Sequence, residues 1–450
     1  MLSPDEARDR CEALLRRAAA AGAASADALY LANASQSVTV RLGALEDVER
    51  SESEHIGLRV FAGSGSASIG STDLGDAALD ELAQRAVAMA RLAPPDPYAG
   101  LADPALLARG EPADLDLDLD DGTEAEPQTL RQMAQSVEAA AMAVPGVTNS
   151  NGGSASSGRS VFALATSHGF AGAYAASSHG MSASVLAGEG SGMQRDYAWA
   201  SARHAADLRA PEAIGREAGE RATRRLNPGR VRSGPMTVVF DPRVGASLVG
   251  HLIAAMTGAS IARRASFLLD REGAQLFDSA VTILDDPHVA RGLRSRPFDG
   301  EGLPTAPGAL VEAGRLTGWL MDSAAARQLG KAPTGHAGRG GSGAPHVTTG
   351  NVVLCAGALA PAALIADIAE GVYVTELIGS GVNGVTGDYS RGASGYRITG
   401  GVIGEPIAEF TVAGNLIDMF AALIPASDLE RIHGIDVPTI RIDGMTVAGD

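Results

Sequence analysis

The sequence predicts an α+β fold: an N-terminal α/β half with an antiparallel sheet and flanking helices, and a C-terminal β-rich, barrel-like domain. Three observations support this prediction. Glycine is abundant (56 of 450 residues) and aromatic residues are scarce (4%), which favours short strands and tight turns over helical bundles. Helical spacing of apolar residues occurs mainly in the first half. Beyond residue 264 the chain is almost all β-like, with short strands at close spacing and glycine turns.

The first predicted segment covers residues 1–112 and contains two helices around a set of strands. Ser3-Pro4-Asp5-Glu6 is a capping box with proline at the first helical position, and Gly22 ends this helix. Period-2 runs between residues 28 and 71 predict antiparallel strands. A second amphipathic helix is expected from Asp76 to Leu92, before a linker-like stretch.

The second predicted segment covers residues 113–230 and opens with alternating aspartate and leucine from Asp114 to Asp121. The glycine and terminal glutamate of an EF-hand are missing, so we expect a loop or edge strand with a solvated acidic face. A helix over 129–142, strands over 147–199 and a helix over 211–226 follow. This repeats the helix-then-strands order of the first segment and hints at internal duplication.

The third predicted segment covers residues 231–450 and carries the stretch around which we interpret the function. Asp241-Pro242 caps a helix, and the apolar stretch Ser247–Ile261 is predicted to be helical with one histidine, His251. The strands expected after it cover residues 280–284, 309–322, 352–355, 371–377, 395–404, 407–412 and 439–442.

The helix with His251 has the shape of a zinc-peptidase helix without its ligands. Such a helix carries two histidines on one face and a glutamate beside the first. Here Leu252 follows the histidine, and Ala255 and Met256 occupy the candidate positions for the second ligand. One imidazole cannot hold catalytic zinc, so we expect a degenerate motif, no metal and no cofactor on this chain.

Composition limits the other classes of function. The formal net charge of −17 disfavours direct nucleic-acid binding. The N-terminus lacks the apolar region of a signal peptide, and no uninterrupted apolar run approaches the roughly 18 residues that span a bilayer. A soluble, cytoplasmic protein is therefore expected. The two cysteines do not form a disulfide framework. Two basic clusters are interpreted as solvated helix ends: Arg221, Arg224, Arg225, Arg230 and Arg232, and Arg263 with Arg264.

Several stretches together resemble the TldD/PmbA family, long described as modulators of DNA gyrase. They are Ala265–Asp270, Pro297–Gly302, Thr334–Gly338, Val374–Gly379, Thr386–Ala393 and Pro438–Gly449. The resemblance implies two branches, one carrying a HExxxH helix and a cysteine that complete a zinc site, and one of PmbA/TldE type lacking them. His251, Leu252 and Met256 fall on the motif positions, and no cysteine follows Cys355, which places this chain in the second branch.

Candidate groove or interface residues follow from the same resemblance, since the matching region of the zinc branch lies near its cleft. They are Glu376, Asn383, Asp388, Tyr389 and Arg391. His336, beside the glycine-rich run 337–344, is a further candidate because loops on a rigid scaffold often carry binding. The alternative is that these residues only shape turns and pair internally.

The resemblance implies a component of a metalloprotease complex that is itself without catalytic residues. We expect a heterodimer with a TldD-type HExxxH subunit that carries zinc and acts on unfolded or extended peptides, with a homodimer also possible. Two alternatives stay open. One is a stand-alone metallopeptidase-like hydrolase with unrecognised ligands, and the other is a non-enzymic regulator that binds gyrase or antitoxin proteins.

Overall fold

The structure, a computed structural model, describes residues 1–110 and 112–449. Glu111 and Asp450, which belong to the predicted segments 1–112 and 231–450, lie outside the described residues. Its α+β architecture, with an antiparallel N-terminal sheet and a C-terminal barrel, confirms the predicted fold class.

The N-terminal half is built around one six-stranded antiparallel sheet in the order β3-β2-β1-β4-β5-β6. The order of one helix, three strands and one further helix occurs twice along the chain. The elements are α1 (Pro4–Ala20), β1 (Ser25–Arg41), β2 (Ala44–Ala62), β3 (Gly65–Ser71), α2 (Asp76–Leu92), α3 (Pro127–Met142), β4 (Val147–Thr166), β5 (Ala171–Ala187), β6 (Gln194–Ala202) and α4 (Pro211–Arg224).

The pairing of β1 with β4 joins the two predicted N-terminal segments. It runs from Asp27↔Thr166 to Val40↔Gly153, so both segments share a single sheet. Helices α1 and α2 cover one part of a sheet face, with Leu14, Leu79 and Tyr30 fully buried between helices and strands. Helices α3 and α4 cover β5 and β6 in the same way. Burial of these apolar faces holds the helices on the sheet.

The C-terminal domain contains a closed barrel and a second sheet. Its elements are β7 (Gly234–Phe240), α5 (Pro242–Ala255), α6 (Gly258–Ala262), β8 (Ile283–Asp286), β9 (Gly308–Glu312), β10 (Arg315–Leu316), α7 (Ser323–Leu329), β11 (Ala337–Gly338), β12 (His346–Val347), β13 (Asn351–Leu354), α8 (Pro361–Ile365), β14 (Glu370–Ile378), β15 (Asp388–Thr399), β16 (Val402–Asn415), α9 (Leu416–Ala421), β17 (Leu423–Pro425), β18 (Ile435–Asp436) and β19 (Ile440–Ala448).

The barrel consists of β16, β15, β14, β7 and β19 and closes where β16 pairs with β19. Closure removes the free edges that an open sheet would expose. Strand β17 pairs antiparallel with β19, and the second sheet has the order β10-β9-β8-β13-β18. Helix α5 packs on the barrel through Leu248 and Leu252, which belong to the main hydrophobic core with Val238 and Val374.

Two local predictions were wrong. The predicted helix Ser247–Ile261 breaks after Ala255, because Thr257 is extended, bridges Leu320 and starts the separate helix α6. The predicted strand 395–404 is a hairpin that turns at Gly400-Gly401, both at positive φ. The loop with an acidic face predicted for residues 114–121 is confirmed, with Asp116 and Asp118 exposed, and Asp118 and Asp120 also bond Arg291 and Arg159.

The two halves of the chain contact each other through loops of the C-terminal domain. The hairpin β11–β12 reaches the N-terminal sheet, where Arg339 donates to Asp27 of β1 over 2.9 Å. A side chain at Gly57 on β2 would lie 2.8 Å from Cα of Ser342, so glycine permits this close approach. Within the described part of the chain, no helix is both long and apolar enough to cross a membrane. The cytoplasmic location stays a prediction.

Candidate functional site

Helix α5 begins where the sequence predicted, with Asp241 at the N-cap accepting from the Arg243 N–H over 3.0 Å. His251 lies in its second half and is half-buried. Its ring contacts Tyr389 of β15 edge to face, with 6.1 Å between ring centroids. The helix thus aims one imidazole at the barrel wall.

Two polar atoms at this contact are buried without a hydrogen-bond partner among the described residues: Nε2 of His251 and the hydroxyl of Tyr389. Burial, and to a lesser degree the Arg391 guanidinium, lowers the pKa of His251 below its ordinary value. Burial raises the pKa of Tyr389 to about 12. Both groups are therefore neutral near pH 7, and His251 offers one imidazole nitrogen as a single donor atom.

The donor set at α5 does not fit zinc. Leu252 and Met256, which fall on the motif positions, are 0% and 1% exposed and belong to the hydrophobic core. His251 remains as one donor, whereas a catalytic zinc site takes three protein ligands and an open position. Across residues 1–110 and 112–449, no group of three or more His, Cys, Asp or Glu side chains is arranged to hold a metal ion.

A cleft of about 300 Å³ lies beside α5, between the barrel and the N-terminal sheet. We call it the α5 cleft. Its barrel side is formed by Val244 and Ser247 of α5, Glu376 and neighbours on β14, and Arg391 on β15. Residues Arg195 to Tyr197 of β6 and Arg225, which follows α4, form the opposite side. The cleft therefore exists only when both halves of the chain are in place.

Ion pairs cross the α5 cleft and join its two carboxylates to three of its four arginines. Glu376 bonds Arg225 at 2.5 Å and lies 3.7 Å from Arg195. Asp196, only 3% exposed, contacts Arg225 at 3.4 Å and Arg243 at 3.0 Å. Since each carboxylate serves two guanidiniums, the network ties β6 and the end of α4 to α5 and β14.

The structure separates the predicted candidate residues into three places. Glu376 and Arg391 line the α5 cleft, and Tyr389 lies behind it against His251. Asn383 and Asp388 shape one loop: the Asn383 side chain accepts from the Val385 N–H, and Asp388 accepts from the Thr386 hydroxyl. His336 lies elsewhere, 3.1 Å from Asp285. Their roles in a groove or an interface stay predictions.

The N-terminal contribution to the cleft was missed by the sequence reasoning. Arg225 was assigned to a solvated helix end, and this was wrong because it is mostly buried and bonds Glu376, 151 residues further on. Asp196 and Arg243 were not proposed as site residues. An ion pair between distant segments leaves no periodic pattern in the sequence, so no local signal identifies these partners.

Comparison with known protein families covers most of the chain. A family model described as the PmbA/TldA metallopeptidase C-terminal domain matches residues 233–449. The models for the central domain and for domain 1 of the same family match residues 120–226 and 26–90.

Characterised relatives and solved structures agree with this match. The chain is 37% identical to the metalloprotease PmbA of Escherichia coli O157:H7 over 92% of this chain and 90% of that protein. It is 34% identical to a metalloprotease PmbA homolog of Haemophilus influenzae, over 95% and 93%. A Bacteroides thetaiotaomicron protein described as a modulator of DNA gyrase superposes with a TM-score of 0.90 at 26% identity, covering 100% of both chains.

A further solved structure, TldE from Thermococcus kodakarensis, shares the fold. Its TM-score is 0.86 at 20% identity, over 98% of this chain and 100% of that chain. Family models, sequence relatives and fold all lead to one assignment: the chain belongs to the TldD/PmbA family of metalloproteases and is of the PmbA/TldE type.

Proposed function

We propose that this chain is the metal-free subunit of a heterodimeric zinc protease. Its partner would be a homologue that carries the HExxxH helix and holds the zinc ion. The assembled enzyme would cleave unfolded or extended peptides in the cytoplasm. In this arrangement the present chain contributes peptide-binding surface and assembly contacts, and the bond cleavage takes place on the partner.

The observation that carries this proposal is the state of α5. The two motif positions after His251 are apolar and lie in the core, which leaves the His251 imidazole, in contact with Tyr389, as a single donor. Repairing such a site would require a carboxylate and a second imidazole where the barrel needs apolar side chains. This supports a scaffold that has been kept for binding rather than for metal chemistry.

Strand β6, which lines the α5 cleft through Tyr197, supports the peptide-binding part of the proposal. Strand β6 is the last strand of the N-terminal sheet, and its Tyr197 and Trp199 side chains are 39% and 41% exposed. An extended peptide binds an edge strand by adding main-chain hydrogen bonds, with side chains entering neighbouring pockets. The aromatic side chains on β6 would supply apolar contacts for such a peptide.

Co-expression with a HExxxH homologue from the same organism tests the proposal. We expect the pair to elute as one complex with close to one zinc per heterodimer, and the chain purified alone to contain almost none. Cleavage of an unfolded peptide should need both chains and stop with chelator. A partner whose motif glutamate is replaced by glutamine is the matched control, which should assemble normally without cleaving.

The two alternative functions give different outcomes in the same experiment. A chain that binds stoichiometric zinc and cleaves peptide alone is a stand-alone hydrolase, which contradicts the proposal. A chain that forms no complex with the homologue but binds purified gyrase is a regulator, as the description of the Bacteroides relative suggests. A homodimer that resists exchange with the homologue would also contradict the proposal.

A further inference from the structure

A second cavity lies between the two halves of the chain, and four arginines line it. We call it the arginine cavity; its volume is about 260 Å³. It is formed by the loop 294–300, the hairpin β11–β12 with residues that follow it, and the exposed face of β4 and β5. The lining arginines are Arg203, Arg294, Arg296 and Arg339, and no aspartate or glutamate is among the described lining residues.

Two of these guanidiniums are held by backbone carbonyls, which leave their charge in place. Arg203 donates to the carbonyls of Ser177 and Leu293 over 3.0 and 2.6 Å. Arg296 donates to those of Thr349 and Thr348 over 2.8 and 3.1 Å. Burial lowers the pKa of both side chains, which is the expected effect of removing a cation from water without a carboxylate in contact.

The other two arginines are also short of acceptors. The guanidinium of Arg294 makes no hydrogen bond or ion pair with any described residue, and the residue is half-buried. Its backbone N–H donates to Oδ1 of Asn351 over 2.9 Å. Arg339 donates through Nη1 to Asp27, but this carboxylate is shared with Arg59. Its Nε and Nη2 have no partner in the described chain, and its side chain is 0% exposed.

Carboxylates farther from the cavity do not supply the missing acceptors. Asp299 accepts from the backbone N–H groups of Glu301, Leu303 and Ala337. Asp285 lies 3.1 Å from His336 through Oδ2; its charge acts on Arg296, but its buried Oδ1 accepts no hydrogen bond from a described residue. The hydroxyl of Thr349, 1% exposed, is also without a partner in residues 1–110 and 112–449. Buried donors of this kind are costly unless an acceptor arrives.

An aromatic wall forms another side of the arginine cavity. Phe162 of β4 and Tyr174 of β5 stack with 5.4 Å between centroids, and Phe298 contacts Tyr174 edge to face at 5.6 Å. The cavity is slightly smaller than the roughly 300–1,000 Å³ typical of pockets for drug-sized ligands, so one residue-sized group fills it. Its position between two domains is also typical of ligand sites.

From this arrangement we propose that the arginine cavity binds an oxyanion attached to an apolar or aromatic group. Guanidinium groups match carboxylate and phosphate in geometry and charge, and the aromatic wall matches the apolar part. The C-terminal residue of a peptide and a small aryl phosphate share this chemistry. The site does not depend on a partner subunit, so it stands or falls independently of the proposed heterodimer.

Calorimetric titration of the full chain with three small probes tests the site. N-acetyl-phenylalanine carries a carboxylate and a ring, its amide lacks the charge, and phenyl phosphate carries a phosphate. We expect at least one of the two anions to bind and the amide to bind at least about tenfold more weakly. Binding should weaken as sodium chloride rises, since salt screens charge attraction. Which anion binds more tightly identifies the source of the oxyanion.

Two variants locate the binding. Arg294→Gln removes a guanidinium that makes no hydrogen bond or ion pair with a described residue and keeps the aliphatic part that lies against Gly434. We expect about tenfold weaker anion binding with an unchanged melting temperature. Arg431→Gln is the matched control, an exposed arginine that lines a different cavity between the same halves. Arg339→Met is a second variant, with a melting curve to show that it folds. Absence of binding by both anions, or equal losses in Arg294→Gln and the control, overturns the proposal.

Discussion

The α5 cleft and the arginine cavity lie between the same two halves of the chain but treat their arginines differently. In the α5 cleft, Asp196 and Glu376 each contact two guanidiniums. In the arginine cavity, carbonyl groups hold Arg203 and Arg296, and the charges are left without a carboxylate of their own.

This difference concerns the capacity of each region to bind an anion. Asp196 and Glu376 pair with Arg195, Arg225 and Arg243, so these three arginines have a fixed geometry and little spare capacity for an anion. Arg391 of the same cleft donates to the Ile378 carbonyl instead. In the arginine cavity, guanidiniums that have no carboxylate partner lie beside an aromatic wall and keep the capacity to bind an anion. Substitutions in both regions test this difference, and the first has the largest expected effect.

Restoring the metal motif in α5 should destabilise the hydrophobic core that this helix shares with the barrel. Leu252→Glu with Met256→His places a carboxylate and an imidazole in a core where both positions are almost completely buried. We expect a loss of more than about 4 kcal/mol in the free energy of unfolding and no zinc binding. Urea denaturation and elemental analysis measure both. A stable variant with one zinc per chain would contradict our description of α5.

Removing the Asp196 carboxylate should destabilise the contact between the two halves of the chain. Asp196→Ala leaves Arg225 and Arg243 without it, and we expect a loss of about 3–5 kcal/mol in urea denaturation because a buried pair is broken on one side. The control is Glu370→Ala, whose partner Arg232 is 71% exposed, and its expected cost is at most about 1 kcal/mol. Equal losses would show that the Asp196 network does not fasten the interface.

Stability should depend on pH through Glu301, which follows the loop that lines the arginine cavity. Burial, with a smaller contribution from the charge of Asp299, raises the pKa of Glu301 from 4.5 to about 7. The folded state therefore holds this proton more tightly than the unfolded chain. Its contribution to stability is complete below about pH 4.5 and is lost as the pH rises through 7.

The variant Glu301→Gln isolates this effect, since glutamine can still accept from Ser323. Between pH 4.5 and 7 we expect the wild type to lose about 3 kcal/mol of unfolding free energy relative to the variant. Urea titrations at several pH values measure the difference. Parallel curves for the two proteins across this range would show that the Glu301 pKa is not raised.

The smallest effects are expected at the contact between His251 and Tyr389. Tyr389→Phe removes a hydroxyl that has no partner, so the free energy of unfolding should change by less than about 1 kcal/mol. Arg391→Gln should move the pKa of His251 upward, because the guanidinium contributes to its lowering. NMR titration of the His251 ring signals follows this shift. A fall in that pKa would be inconsistent with the charge of Arg391 acting on the ring.

Local patterns predicted the elements well and the site only in part. The capping box at Ser3 and the apolar spacing of residues 76–92 located α1 and α2, because caps and periodicity act over a few residues. The end of α5 was misplaced because the bridge between Thr257 and Leu320, a contact between distant segments, ends it. The ion pair between Arg225 and Glu376 was not predicted from the sequence for the same reason.

The sequence by itself determined the family, the α+β class and the missing ligands at Leu252 and Met256, since these depend on residue identity and local spacing. Tertiary structure alone decided that barrel closure joins β16 to β19 and that β1 and β4 make one sheet. It also decided which arginines meet a carboxylate. Charge pairing acts over a few ångströms in space, and the residues that share such a distance here are separated by as many as 312 positions in the chain.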